Sequence, residues 1–168
     1  MENSLSPIPL NDKSILVTGG ASGLGAALCA QLSASGARIM LADLQEENAQ
    51  RTATALLEKG RRVDVVICDV GDPDQAEHAV RETIEKLGGI DVLINNAGTD
   101  ISGSLNEIET AQWERVLRTN LHGPFLMARA AARYMMGQGS GHIVNITSTA
   151  AKRAWPNACA YQASKAGL

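Results

Sequence analysis

Residues 13–36 read KSILVTGGASGLGAALCAQLSASG, and this stretch constrains the fold more than any other. It opens with a short apolar run, a length and pattern that suit a strand buried on both faces. Gly19, Gly20, Gly23 and Gly25 then fall within seven residues. Glycine reaches backbone angles other residues avoid and lets a ligand touch the main chain. Leu24, Leu28 and Leu32 follow at a spacing of four, which predicts the buried stripe of a helix, with Gly36 as its stop. A helix that starts just after a glycine turn points its free N–H groups into that turn, where an anion such as a pyrophosphate fits.

The same alternation continues along the chain. ARIMLAD, RVDVVICDV, IDVLINNAG and HIVNITS are further brief apolar runs. Between them lie amphipathic stretches over residues 45–60 and 72–89, the latter with Asp72 as N-cap and Pro73 at the first helical position. A long helical stretch over residues 110–136 is expected to break near Gly123-Pro124, TAAKRAWPNAC is expected to be loop, and a last helix begins near the end. Strands apolar on both faces, alternating with helices, predict an α/β fold: a doubly wound parallel sheet of the Rossmann type, with five strands. Pro7 and Pro9 mark residues 1–12 as a leader, so the single domain spans 13–168.

Composition excludes several classes. The chain of 168 residues is 45% hydrophobic and 20% charged, with 15 basic and 18 acidic residues, a balance that offers no broad basic face for nucleic acid. No apolar run suits a membrane span, and the first residues lack the pattern of a signal peptide. Cys29, Cys68 and Cys159 are odd in number and widely spaced, which argues for buried free thiols in a reducing, cytoplasmic setting rather than disulfides or zinc. His78, His122 and His142 are scattered and read as structural or surface residues. The sequon at Asn145 lies in a strand-like run and is discounted.

The chemistry gathers at the ends of the predicted strands, where open α/β sheets bind ligands. Asp43 ends the second; a carboxylate there can accept hydrogen bonds from an adenine ribose and repels a 2′-phosphate, which favours NAD over NADP, and a solvated strand-end residue is the competing reading. Asn95-Asn96-Ala97-Gly98 ends the fourth, and Ser148 stands at the end of the fifth, with Thr147 and Thr149 as neighbouring hydroxyls. Tyr161 and Lys165 stand four apart, on one face of a helix. An unperturbed phenol titrates near about 10, and a neighbouring ammonium favours its charged form, so the pair is a plausible general acid/base.

With Thr18-Gly19-x-x-x-Gly23-x-Gly25 at its start and Tyr161-x-x-x-Lys165 at its end, the chain resembles the short-chain dehydrogenase/reductase family, in its single-domain branch. The resemblance implies a catalytic set of Asn120, Ser148, Tyr161 and Lys165. It implies cofactor contacts at Gly19, Ser22, Gly23, Leu24, Gly25, Asp43, Asp69, Val70, Asn96, Ala97 and Gly98, and also at Tyr161 and Lys165. Asp69 would bond the adenine amino group, though a turn aspartate reads the same way. Asn120 would interrupt the long helix and hold a water linked to Lys165; a polar residue beside a kink is its other reading. The implied reaction is reversible hydride transfer between nicotinamide and a secondary alcohol or ketone, with a homodimer or homotetramer as the working form.

The family's sheets continue past the last helix, whereas this sequence stops at Leu168. The expectation is a C-terminally truncated member whose fifth strand is an exposed apolar edge. Two functions are carried forward: a part of an NAD-dependent dehydrogenase, or a non-catalytic dinucleotide-binding fragment with weak or absent turnover. TDISGS and TAAKRAWPN remain near the substrate region and are compatible with sugars, steroids, acyl chains or simple ketones. Trp155 is open to two readings, entrance lining or packed loop, and Trp113 is expected in the core.

Overall fold

The computed structural model describes residues 10–168. In chain order its elements are β1 (Ser14–Thr18), α1 (Gly23–Ala34), β2 (Arg38–Asp43), α2 (Glu46–Leu57), β3 (Arg62–Ile67), α3 (Pro73–Leu87), β4 (Val92–Asn95), α4 (Thr110–Leu117), α5 (Gly123–Gln138), β5 (His142–Asn145) and α6 (Cys159–Gly167). The strands form one sheet in the order β3-β2-β1-β4-β5, and every neighbouring pair is parallel. Alternation along the strands divides the core in two. Ile15, Val17, Ile39 and Leu41 meet Cys29 of α1 and Ala49, Ala53 and Leu56 of α2 on one face. Leu16, Met40 and Leu93 meet Ala76, Ala79 and Val80 of α3 and Met127 and Ala131 of α5 on the other. This is the expected doubly wound α/β arrangement.

Strand neighbours decide which runs are buried. β1, β2 and β4 are almost wholly enclosed, as expected of apolar runs. β3 alternates between buried and open positions because it is an edge with one neighbour. β5 is the other edge, open along its length, with Ile143 39% and Val144 43% exposed. Local chemistry fixes the helices: the Asp72 carboxylate accepts from the N–H groups of Asp74 and Gln75 at 3.0 Å each, and Gly88 ends α3 in the left-handed region at φ 74°.

Three expectations need correction. The fully buried stripe of α1 is Gly25, Cys29 and Ser33; of the expected leucines, Leu28 and Leu32 are half-buried and pack against the same core, but Leu24 is 55% exposed. Small residues are needed on that face: a Cβ on Gly25 would overlap the carbonyl oxygen of Gly19, and Cys29 Sγ lies 3.2 Å from where a Cβ on Gly20 would stand. The long helix breaks at a π turn over Arg118–His122, and Gly123-Pro124 start α5 instead, proline being suited to a first helical turn. TAAKRAWPNAC is not all loop, since Thr149–Ala151 form a 3₁₀ turn. Of the leader, residues 1–9 lie outside the described residues, while Leu10 N and Asp12 N donate to Ser35 O and Gly36 O, tying this end of the chain to the end of α1.

Asp91 fastens the entry to three strands. Its carboxylate accepts from Lys13 Nζ at 2.8 Å and from Ser14 N at 2.9 Å, and its backbone bonds Ser14 O and His142 N. Partial burial pushes its carboxyl up, but the Lys13 and Ser14 hydrogen bonds outweigh it and hold the group below the ordinary 3.8. A depressed carboxyl stabilises the fold above its ordinary pKa, and that contribution is lost as pH falls through the native value. Asp91→Asn is expected to cost about 1 kcal/mol near neutral pH, a figure kept small by exposure. In urea unfolding followed against pH, the gap between wild type and variant should close in acid, below the ordinary aspartate range; a gap independent of pH would contradict this.

Candidate active site

β1 runs to β2 and β3 on one side, and β4 returns to the other side of β1. At such a switch point the connections leave in opposite directions and a crevice opens beyond the carboxyl ends of the strands. Here it is a cleft of about 940 Å³. Gly19, Ser22, Gly23, Leu24 and Gly25 line its floor, and Asp43, Asp69, Val70, Asn96, Ala97 and Gly98 line its walls. Every one of the cofactor positions expected between residues 19 and 98 therefore meets in one space. Tyr161 and Lys165 do not line it.

The glycine turn is built by exclusion. Gly19 sits at φ 64°, and a Cβ there would stand 2.8 Å from Ala97 Cα. A Cβ on Gly25 would overlap the carbonyl oxygen of Gly19, so α1 begins directly beneath the turn. Ser22 makes no side-chain cap, and the first turn of α1 carries no acidic residue, so the helix start is left available to an anion. These features fit a dinucleotide pyrophosphate. Thr18 Oγ1 accepts from Asn96 N at 3.1 Å and Ala97 N at 3.0 Å, and Asn96 Nδ2 donates to Thr18 O and Gly19 O. The end of β4 thus holds the turn shut from the side.

The two acidic wall residues are themselves fixed. Asp43 accepts from Ala21 N and Gln45 N, one on each carboxylate oxygen, at 3.0 Å each. Asp69 Oδ1 accepts from Gly71 N at 2.9 Å. Cys68 beside it is buried, and that burial pushes its thiol up to about 12, so it stays a thiol. Cys29 is likewise buried, while Cys159 is half-exposed at the start of α6, against the expectation that all three are buried.

At the far end of the cleft the chain crosses Gly98. A Cβ there would lie 3.4 Å from Asn120 Oδ1 and 3.7 Å from Lys165 Nζ. Asn120 is fully enclosed in the π turn; its amide accepts from Thr99 N and donates to Thr99 O, both at 2.8 Å, and donates to Ser164 Oγ at 3.1 Å. Ser164 Oγ in turn donates to Tyr161 O at 2.7 Å. Lys165 is buried, and this pushes its ammonium below the ordinary lysine value. Its Nζ donates to Ile146 O at 2.8 Å and stands 5.7 Å from the centre of the Tyr161 ring. Ser148 lies three residues beyond β5 rather than within it, and its hydroxyl accepts from Ala150 N at 3.2 Å in the 3₁₀ turn that packs against α6. Asn120, Tyr161 and Lys165 are thus brought together, with Ser148 on the neighbouring turn. Trp155 is exposed and Trp113 only half-buried.

Sequence reasoning named Thr18 only as the start of the glycine motif, without a role, and passed over Ser164 and Arg118. Thr18 had a signal, since a strand-end hydroxyl before a glycine turn has two free backbone partners to find. Ser164 had none, because its two partners are 3 and 44 residues away.

A parallel sheet with a glycine turn at its switch point, leading to a buried lysine beside a tyrosine, defines an α/β protein of the Rossmann type. The sequence profile described as short chain dehydrogenase matches residues 13–168, and the chain belongs to that family. An oxidoreductase of Thermotoga maritima is 40% identical over 159 residues, covering 95% of this chain and 62% of the relative. Levodione reductase of Leifsonia aquatica is 38% identical, covering 94% and 60%. Among solved structures, NAD+-bound xylitol dehydrogenase superposes with a TM-score of 0.91 at 32% identity, covering 95% of this chain and 62% of that one. The chain therefore spans about three fifths of the length of these relatives. No helix among the described residues is long and apolar enough to cross a membrane.

Proposed function

We propose that the protein carrying this chain transfers hydride between a nicotinamide dinucleotide and a secondary alcohol or ketone. The observation that carries the reading is the junction at Gly98: the cleft suited to a dinucleotide ends beside Asn120 and Lys165. The glycine turn and the start of α1 would hold the pyrophosphate, Asp43 the adenine ribose and Asp69 the adenine. When bound, the nicotinamide supplies the redox chemistry. Tyr161 gives or takes the hydroxyl proton. Lys165, held by Ile146 O, places positive charge beside that phenol as the proton leaves and so stabilises the developing charge. Ser148 orients the substrate oxygen, and Asn120 ties the segment after β4, through Thr99, to α6, through Ser164. The buried thiols suit a cytoplasmic home, and the exposed Phe125 and Met136 of α5 suit a homodimer or homotetramer.

Binding without turnover is the second reading, supported by a cleft lining that stops at Thr119 and includes none of Ser148, Tyr161 and Lys165.

NAD is the proposed cofactor because Asp43 puts a carboxylate at the ribose end of the cleft. Asp43→Asn keeps the size, removes the charge and gives up one of the two backbone hydrogen bonds, since the amide NH2 cannot accept. It is expected to raise affinity for NADPH relative to NADH on the order of tenfold or more, since facing like charges cost several kcal/mol. Fluorescence titration of both cofactors measures the ratio; an unchanged ratio would place the selectivity elsewhere.

A further inference from the structure

Arg118 lines the cleft from the first residue of the π turn, and its position is explained by Gly71. Gly71 is buried and does not adopt a positive φ, so its backbone does not require glycine. What requires glycine is space: a Cβ on Gly71 would lie 2.6 Å from Arg118 Cγ and 3.1 Å from Arg118 Cδ. The arginine stem is thus seated on the turn that follows β3. Its guanidinium makes neither an ion pair nor a hydrogen bond among the described residues, although Glu114 also lines the cleft one helical turn earlier. The stem lies against the Gly71 turn, and the planar head of this exposed residue is unpaired among the described residues.

The same turn presents Asp69, whose Oδ1 would be 3.3 Å from that Cβ. A carboxylate on the same turn as the arginine stem disfavours a phosphate there. It suits a neutral, flat heterocycle that offers an N–H to the carboxylate and a π face to the guanidinium. We propose that Arg118 packs its guanidinium on the adenine ring of the bound dinucleotide, and that Gly71 exists to let it do so. This rests on the dinucleotide reading given above.

The test is binding, not turnover. NADH is titrated by fluorescence into the 168-residue chain, and ADP-ribose, adenosine and nicotinamide mononucleotide are titrated as competitors. Arg118→Ala is expected to weaken NADH, ADP-ribose and adenosine by roughly tenfold each while leaving nicotinamide mononucleotide unchanged. Arg118→Lys should behave like Arg118→Ala, because charge without the plane does not stack. Gly71→Ala should reproduce the defect by pushing the stem away, and the double variant should be no weaker than Arg118→Ala alone. Rescue by lysine, or a loss confined to the phosphate-bearing ligands, would overturn stacking in favour of a phosphate contact. Equal affinity of wild type and Arg118→Ala for adenosine would overturn it outright. A folded wild type that binds no NADH would instead overturn the dinucleotide reading, and this inference with it.

Discussion

Tyr161→Phe is expected to lower kcat for alcohol oxidation by roughly 10³-fold in the protein that carries this chain, with NADH affinity and unfolding midpoint almost unchanged. The substitution deletes one oxygen and nothing else. The ring stays against Lys165, and the hydrogen bond from Ser164 goes to the Tyr161 carbonyl, which phenylalanine keeps. What is lost is the only group proposed to move the substrate proton. An assay with a panel of secondary alcohols, paired with an NADH titration, separates the two quantities. A drop in affinity equal to the drop in kcat would assign Tyr161 to binding, and unchanged kcat would remove it from the chemistry.

Gly25→Ala is the second large effect. The added methyl would overlap the carbonyl of Gly19 and stand 2.7 Å from Asn96 Nδ2, the group that clamps the glycine turn to β4. Neither backbone oxygen nor clamp can give way without opening the turn. Overpacking of this kind costs about 3 kcal/mol, and the open turn no longer presents the start of α1, so NADH affinity should fall roughly 100-fold. Gly23→Ala is the control in the same loop. Nothing lies within 4 Å of its Cβ, and only its φ of 51° resists a side chain. It should cost about 1 kcal/mol. Thermal unfolding and NADH titration of the two variants check the contrast; equal losses would mean that the turn tolerates no side chain anywhere and that the Gly19 contact is not the cause.

The layer order and the glycine cleft were legible because they depend on local signals. A short apolar run, a glycine cluster and a helix each announce themselves, and Asp72-Pro73 carried its own cap chemistry. The helix stripe of α1 was not legible, since three leucines outweigh Gly25, Cys29 and Ser33 in any count of hydrophobicity. What decides is the close approach of the Gly19-Gly20 turn to Gly25 and Cys29, which only the folded turn shows. The Gly123-Pro124 breaker signal put the interruption just beyond the π turn, whereas the resemblance put it at Asn120, inside that turn, where the amide is committed to Thr99 and Ser164, far off in sequence. Proline at the start of α5 breaks nothing. At the site, the spacing of Tyr161 and Lys165 fixed a shared face, but the seat of Lys165 on Ile146 O came only with the sheet. Arg118 and Gly71 carry no motif; the pairing appears only when a missing methyl is seen to be the room an arginine needs.

The central claim is that one dinucleotide lies across the carboxyl ends of β1, β2 and β4 with its reactive ring delivered to Tyr161. A crystal structure of the protein soaked with NADH measures this directly. The account predicts pyrophosphate density at the start of α1 against Gly19–Gly25, the adenine beside Asp69, and the nicotinamide within reach of the Tyr161 hydroxyl. Pyrophosphate bound elsewhere, or a nicotinamide turned away from Tyr161 at full occupancy, would contradict it.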